Sequence, residues 1–364
     1  SQQLAFDTRY TVELKAGVTS AAGGRGMAEG VTWEFTTVPL PEIVSTHPAD
    51  GERHASPHTE FRITFNTIID PDSVMANLTM TPPISSTDVY TYFSWYDNTF
   101  VLYFGAKPST DYEVTIGTGI VDPYGNAIPR GRTVRFRTDP LPPAVQLRVP
   151  DAVGTYDAAL PARVILSHVN VTRIDLRLYR LPTNVLRESL WRWIYQEQTD
   201  AATPVRQWQV RLEAPLDRQQ NTPIVLGESS EGKLEPGIYL LELDAPELDR
   251  DTYWRNQRHI LVVSHLSLTL KTGAREALVW ATNLSDGQPV PDLPLNIVET
   301  DGSFSQAAKT GPDGVARLSI TPNRNTLVAY SETPFGAVSE EWHRGIGPWD
   351  FNVSEGESAQ PYRI

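Results

Sequence analysis

Apolar and polar residues alternate in short runs along most of the chain. In Tyr10-Thr11-Val12-Glu13-Leu14, Phe61-Arg62-Ile63-Thr64-Phe65 and Tyr112-Glu113-Val114-Thr115-Ile116 the apolar side chains fall on every second position. In an extended strand that period puts them on one face. The same pattern predicts strands at residues 31–37, 43–44, 78–80, 89–93, 99–104 and 133–138. Further along it predicts strands at 145–149, 162–167, 173–179, 207–212 and 237–243. After His265 it predicts 266–271, 277–283, 293–299, 315–320 and 326–331, with Asp286-Gly287 and Asp313-Gly314 as hairpin turns. One segment has a helical period instead. Val185, Leu186, Leu190, Trp193 and Ile194 recur every three or four residues behind a cap at Thr183 or Asn184, so a helix with a buried apolar face is expected over 183–196. The fold class expected is all-β: tandem β-sandwiches with one short helix.

The opening of the chain returns about 100 residues later. Tyr10-Thr11-Val12-Glu13-Leu14, Gly17-Val18 and Val31-Thr32-Trp33-Glu34-Phe35-Thr36-Thr37 reappear as Tyr112-Glu113-Val114-Thr115-Ile116, Gly119-Ile120 and Thr133-Val134-Arg135-Phe136-Arg137-Thr138. That spacing is the length of a β-sandwich module, not of a solenoid repeat. The strands at 61–104 have no counterpart upstream, so residues 1–39 are expected to be the last part of a truncated module and the chain a piece of something longer. Pro39-Leu40-Pro41 and Asp139-Pro140-Leu141-Pro142-Pro143 are stiff linkers at equivalent places, because proline fixes φ and removes a donor. The expected modules are therefore 1–39, 40–141, 142–264 and 265–350, with 351–364 as a polar linker to a following domain.

Composition narrows the function. Hydrophobic residues make up 40% of the chain, enough to fill several cores. A net charge of −13 argues against nucleic acid or an anionic membrane surface as partner. There is no cysteine, which excludes thiolate catalysis, disulfides and cysteine-based zinc sites. No apolar run is long enough to span a membrane, and no signal-peptide pattern opens the chain.

No constellation of catalytic residues stands out. His54 and His58 are four apart, but Pro57 between them argues against a helical metal site. Asn66, Asp70 and Asp72 around Pro71 are the best calcium candidate, against which stands a simple turn; the acidic positions and late glutamate of an EF-hand loop are missing. Glu340-Glu341 and the pair Glu228 and Glu231 are carboxylates near turns, where solvation is the ordinary state. No Gly-x-Ser-x-Gly elbow occurs, and Gly23-Gly24-Arg25-Gly26 lacks the lysine and helix of a phosphate loop. Trp191, Trp193, Trp208 and Trp254 could form a sugar platform, but core or interface positions suit them better. Asn77, Asn170, Asn283 and Asn352 head dispersed sequons. No catalytic residue, metal site or cofactor is expected.

The second module resembles the bacterial Ig-like domain of secreted multidomain proteins. The likeness lies in Ser45-Thr46-His47-Pro48-Ala49-Asp50-Gly51, Phe65-Asn66-Thr67-Ile68-Ile69-Asp70-Pro71-Asp72-Ser73-Val74, Asp122-Pro123-Tyr124-Gly125-Asn126 and Phe136-Arg137-Thr138. The remainder resembles the N-terminal macroglobulin domains of a bacterial α2-macroglobulin. There His259-Ile260-Leu261-Val262-Val263-Ser264 runs straight into Leu266-Ser267-Leu268-Thr269-Leu270-Lys271. Ala277-Leu278-Val279-Trp280-Ala281-Thr282-Asn283-Leu284, Gly287-Gln288-Pro289-Val290-Pro291 and Thr310-Gly311-Pro312-Asp313-Gly314-Val315-Ala316 follow, and Gly237-Ile238-Tyr239-Leu240-Leu241 fits the preceding domain.

The resemblance implies tandem Ig-like and macroglobulin-like sandwiches and a large extracytoplasmic protease trap, in which a bait segment is cut and a cysteine–glutamine thioester can capture the attacker. Without cysteine, this chain cannot hold that thioester, and no bait segment is apparent. The expected role is a non-catalytic scaffold whose partners are neighbouring macroglobulin domains, meeting target proteases only through the full-length protein. Any signal or anchor is expected outside these residues. The alternative is a cell-surface adhesin or Ig-like stalk, with carbohydrate binding as a role open to it.

Overall fold

The computed structural model describes residues 4–84, 89–149, 151–187, 203–249, 251, 256–273, 275–300, 302–321, 326–340 and 342. The chain divides into two compact units, 1–141 and 142–364.

The first unit opens with an antiparallel hairpin of β1 (Arg9–Leu14) and β2 (Val31–Thr36), with Tyr10 opposite Phe35 and Val12 opposite Trp33. A two-sheet sandwich follows. One sheet has the order β3 (Ile43–His47), β4 (Phe61–Phe65), β7 (Thr99–Tyr103), β6 (Tyr90–Ser94); the other runs β5 (Leu78–Thr81), β8 (Asp111–Ile116), β9 (Arg132–Arg137). Phe61, Ile63, Phe100 and Leu102 from the first sheet meet Tyr112, Val114, Ile116, Val134 and Phe136 from the second in one core.

A short helix, α1 (Pro71–Ala76), enters the second sheet through β5. Its start is written in the sequence. Proline at the first turn is pre-set for helix, and Asp70 caps it by accepting from the backbone N–H of Asp72 at 3.2 Å. Asp70 and Asp72 thus build a helix start, not a calcium loop. Asn66 accepts from the N–H of Glu42 at 2.8 Å and donates to the carbonyl of Leu40 at 2.9 Å, pinning the Pro39–Pro41 linker.

The second unit is two sandwiches joined without a linker. In the first, the sheet β10 (Ala144–Arg148), β12 (Arg163–Val169), β15 (Gln220–Val225) packs on a five-stranded sheet. The order there is β11 (Val153–Asp157), β17 (Asn256–Ser264), β16 (Gly237–Asp244), β13 (Arg173–Leu181), β14 (Arg206–Arg211), with β11 parallel to β17. Only His265 separates β17 from β18 (Leu266–Thr272) of the second sandwich. That sandwich pairs the sheet β18, β19 (Glu276–Asn283), β22 (Val315–Ser319) with the sheet β21 (Ser305–Lys309), β20 (Pro294–Glu299), β23 (Leu327–Glu332), β24 (Phe335–Ser339).

Three sequence expectations need correction. The chain has a helix at Pro71–Ala76 where the sequence predicts a turn, because only six residues carry it. The segment expected as a helix over 183–196 begins as a 3-10 turn, Thr183–Arg187, with Val185 and Leu186 buried; Leu190, Trp193 and Ile194 lie outside the described residues. The turn at Asp286-Gly287 closes a short antiparallel bridge, Thr282 opposite Pro289, but neither it nor the turn at Asp313-Gly314 joins two strands of one sheet. The first lies between β19 and β20 and the second between β21 and β22, and in each case the two strands are in opposite sheets. Such a dipeptide fixes a local backbone turn, whereas strand partnership is decided by the whole sandwich. Gly314 shows why that turn needs glycine: φ is +74°, and a Cβ there would sit 2.6 Å from the carbonyl oxygen of Ala281.

Candidate functional site

The feature of the second unit that no single sandwich requires is a third hydrophobic layer between its two sandwiches. Along β13, β16 and β17 the residues Leu178, Leu241, Leu243, Leu261 and Val263 face the first sandwich's own core. Their alternating neighbours Tyr179, Leu181, Ile238, Leu240, Ile260 and Val262 face the other way. In an isolated sandwich that second face would be wet. Here it packs on Val298, Val328, Tyr330, Phe335 and Ala337 from the outer face of the β21-β20-β23-β24 sheet, with Trp342, Val185 and Leu186 closing the cluster. Leu295, Ile297, Leu327, Ala329 and Val338 of that sheet in turn face the second sandwich's own core. Four sheets are therefore stacked around three apolar layers. The central strands of the two inner sheets, such as β16 and β23, are buried on both faces, and fully burying each aliphatic or aromatic side chain contributes about 1.5–3 kcal/mol.

Polar groups fix the register of this layer. The Ser264 hydroxyl donates to the carbonyl of Phe335 at 2.6 Å and accepts from the N–H of Leu266 at 2.8 Å, all of it buried. Arg187 donates to the Tyr330 hydroxyl at 3.3 Å from the 3-10 turn. On the inner side of β17, fully buried His259 is joined through Nε2 to the Tyr156 hydroxyl at 2.8 Å. Burial pushes the His259 pKa down to about 4, against weaker opposing pulls from the backbone at Asp151 and Ala152 and from the Asp151 charge. Burial likewise pushes the Tyr156 hydroxyl up to about 12. Both groups are neutral at pH 7, as a hydrogen-bonded pair in an apolar core requires.

The residues weighed in the sequence are scattered. His54 lies 3.0 Å from Asp139 at the surface, and His58 is exposed. Glu228 is exposed and Glu231 pairs with Lys233, which holds the Glu231 carboxyl below its ordinary pKa. Glu340 accepts from the N–H of Leu327 at 2.8 Å and from the Thr272 hydroxyl, so it ties strands together; Glu341 lies outside the described residues. Trp208 is half-buried beneath the Arg206 guanidinium, 4.1 Å from its ring, while Arg206 donates to the carbonyls of Val225, Leu226 and Gly227. Trp191, Trp193 and Trp254 lie outside the described residues. Asn77 closes α1, and Asn170 is bonded to Asp217. Asn283 ends β19, and Asn352 lies outside the described residues. Among the described residues no three His, Asp or Glu are grouped to hold a metal, and no helix is long and apolar enough to cross a membrane.

Alternation misses the shared layer, because a strand buried on both faces does not alternate. The available signal is the unbroken apolar run, as in Ile238-Tyr239-Leu240-Leu241, Ile260-Leu261-Val262-Val263 and Leu327-Val328-Ala329-Tyr330.

Comparison with known proteins places two stretches. Residues 39–138 match the bacterial Ig-like domain model, and residues 263–358 match the bacterial alpha-2-macroglobulin MG3 domain model. No curated protein matches the sequence. The structure is similar to that of Salmonella alpha-2-macroglobulin reacted with methylamine, with a TM-score of 0.62 at 12% identity, covering 83% of this chain and 18% of that one. A mutant of the Salmonella protein gives 0.61 at 11% identity, covering 86% and 19%. A native Escherichia coli alpha-2-macroglobulin fragment spanning domains MG0-NIE-MG1 gives 0.49 at 14% identity, covering 83% and 97%. The chain thus spans under a fifth of the length of the Salmonella chain whose fold it shares.

Proposed function

We propose, for a chain that belongs to the N-terminal region of the bacterial alpha-2-macroglobulin family, a non-catalytic scaffold role in an extracytoplasmic protease-trapping protein. The observation that carries this reading is the apolar layer joining the two sandwiches of the second unit. It makes 142–342 a single body able to hold neighbouring macroglobulin domains at a set angle while other parts of the parent protein respond to a protease. A chain without cysteine cannot form a cysteine–glutamine thioester, so covalent capture, where the parent performs it, takes place in residues beyond these.

The test uses the full-length parent protein. Protease would be incubated with it, then assayed on a large protein substrate and on a small peptide. A trap blocks the first and spares the second. Equal loss of both activities, or loss of neither, would refute trapping.

A second reading rests on the Ig-like sandwich. Tyr90, Tyr92 and Tyr103 are exposed side by side on β6 and β7, with ring centroids 6.0–6.4 Å apart. Exposed aromatic faces of this kind stack on sugar rings, which would suit an adhesin. Soluble glycan binding that is lost in Tyr90→Ala and Tyr103→Ala would favour that reading over the scaffold.

A further inference from the structure

The β1–β2 hairpin reproduces the β8–β9 hairpin bond by bond. The Tyr10 hydroxyl accepts from the N–H of Ala5 at 2.8 Å, and Tyr112 accepts from Lys107 at 2.8 Å. Thr37 donates to the carbonyl of Ala5 at 2.7 Å, and Thr138 to that of Lys107 at 2.6 Å. Asp7 and Ser109, both within this corner, share a left-handed backbone with φ of 46° and 49°. Tyr10 stacks on Phe35 at 5.6 Å, as Tyr112 does on Phe136 at 5.2 Å. Gly30 and Gly131 have the same cause, since a Cβ would strike the carbonyl oxygen of Leu14 or of Ile116.

The surroundings differ completely. Ile116, Val134 and Phe136 are 1%, 0% and 3% exposed, whereas their counterparts Leu14, Trp33 and Phe35 are 39%, 44% and 40% exposed. In the second copy β5 pairs along β8, with Met80 opposite Val114. The matching edge of β1 has no neighbour among the described residues. Asn77 at the end of α1 presses on Gly119, while the space around Gly17 is open.

We infer that the β1–β2 hairpin is a preformed docking surface for an Ig-like half-sandwich of the β3–β7 design, joined at the Leu4 end of the same polypeptide. The source follows from the corner. In the second copy residues 107–110 lie in the connection from β7 to β8, where the chain crosses from the covering sheet to the hairpin. The same corner is intact at residues 5–8, so the hairpin is shaped to receive its covering strands through that crossing. Such strands would add one antiparallel partner along Thr11–Leu14 and an apolar sheet over Trp33 and Phe35. This inference does not depend on protease trapping.

The absence of cysteine makes a direct test possible. A duplicate of residues 39–105 is placed directly ahead of Leu4 in the full chain, with Glu13→Cys and, in the duplicate, Thr79→Cys. Thr79 stands opposite Thr115, the counterpart of Glu13, and this same pair in the second module serves as the control for disulfide closure. The expected result is an intramolecular disulfide in the monomer, together with a several-fold fall in iodide quenching of Trp33, read as the difference from Trp33→Phe. No disulfide with unchanged quenching overturns the inference, as does a duplicate that stays unfolded beside the hairpin. In the unextended chain, sedimentation showing a dimer that already shields Trp33 would assign the face to a second copy and overturn it equally.

Discussion

Ser264 and Phe335, 71 positions apart in sequence, share a buried hydrogen bond of 2.6 Å between the last residue of β17 and the first of β24. The same hydroxyl receives the N–H of Leu266, so one side chain governs the angle at which the first sandwich passes into the second. Ser264→Ala is expected to cost about 1–3 kcal/mol, the penalty of depriving buried polar groups of a partner. Urea unfolding of the chain measures it.

Leu240 and Leu241 are adjacent, both fully buried, and point into different layers. In a lone sandwich only Leu241 would matter. Because the shared layer is packed like a core, Leu240→Ala and Leu241→Ala should each cost about 2–5 kcal/mol. Ile165→Ala, on the exposed side of β12, should stay within about 0.5 kcal/mol. Chemical denaturation of the three variants decides the matter.

Five strands carry no alternating pattern in the sequence. β17 is central and buried on both faces, so its apolar run does not alternate, whereas β11, β15, β21 and β24 are at sheet edges. Edge strands need less alternation and tolerate proline and glycine: Pro223 sits inside β15, Gly154 inside β11 and Gly336 inside β24, while β21 reads Ser-Gln-Ala-Ala-Lys. The Ig-like sandwich was legible because Phe61, Ile63 and Phe65 alternate cleanly against one core. The shared layer was not, since no local pattern in β16 names the sheet that covers its outer face.

His259 makes stability depend on pH. In the unfolded chain an imidazole takes up a proton near 6.5, whereas in the fold it does so only near 4. Between those values the unfolded state binds more protons, so stability is full above about 6.5 and falls as pH drops toward 4, by up to about 3 kcal/mol. His259→Gln keeps a polar partner for Tyr156 and should flatten that part of the pH profile. Urea midpoints at pH 7.5, 5.5 and 4.5 provide the comparison.

Asp70 is assigned to capping α1. Asp70→Ala should therefore destabilise the Ig-like sandwich by about 1 kcal/mol, while Asp70→Asn, which still accepts the Asp72 N–H, should be close to neutral. Thermal unfolding of the first unit's signal within the full chain reports both.

The central claim is that the two sandwiches of the second unit act as one rigid scaffold. Spin labels at Ile165→Cys and Trp280→Cys would sit on the outer faces of the outermost sheets, since both side chains are about half exposed there. With three sheet-to-sheet spacings of about 10 Å between them, the labels should lie at least roughly 30 Å apart. In the full-length parent, pulsed electron resonance should give one narrow distance that is unchanged when protease is added. A broad distribution, or a second distance appearing with protease, would contradict the account.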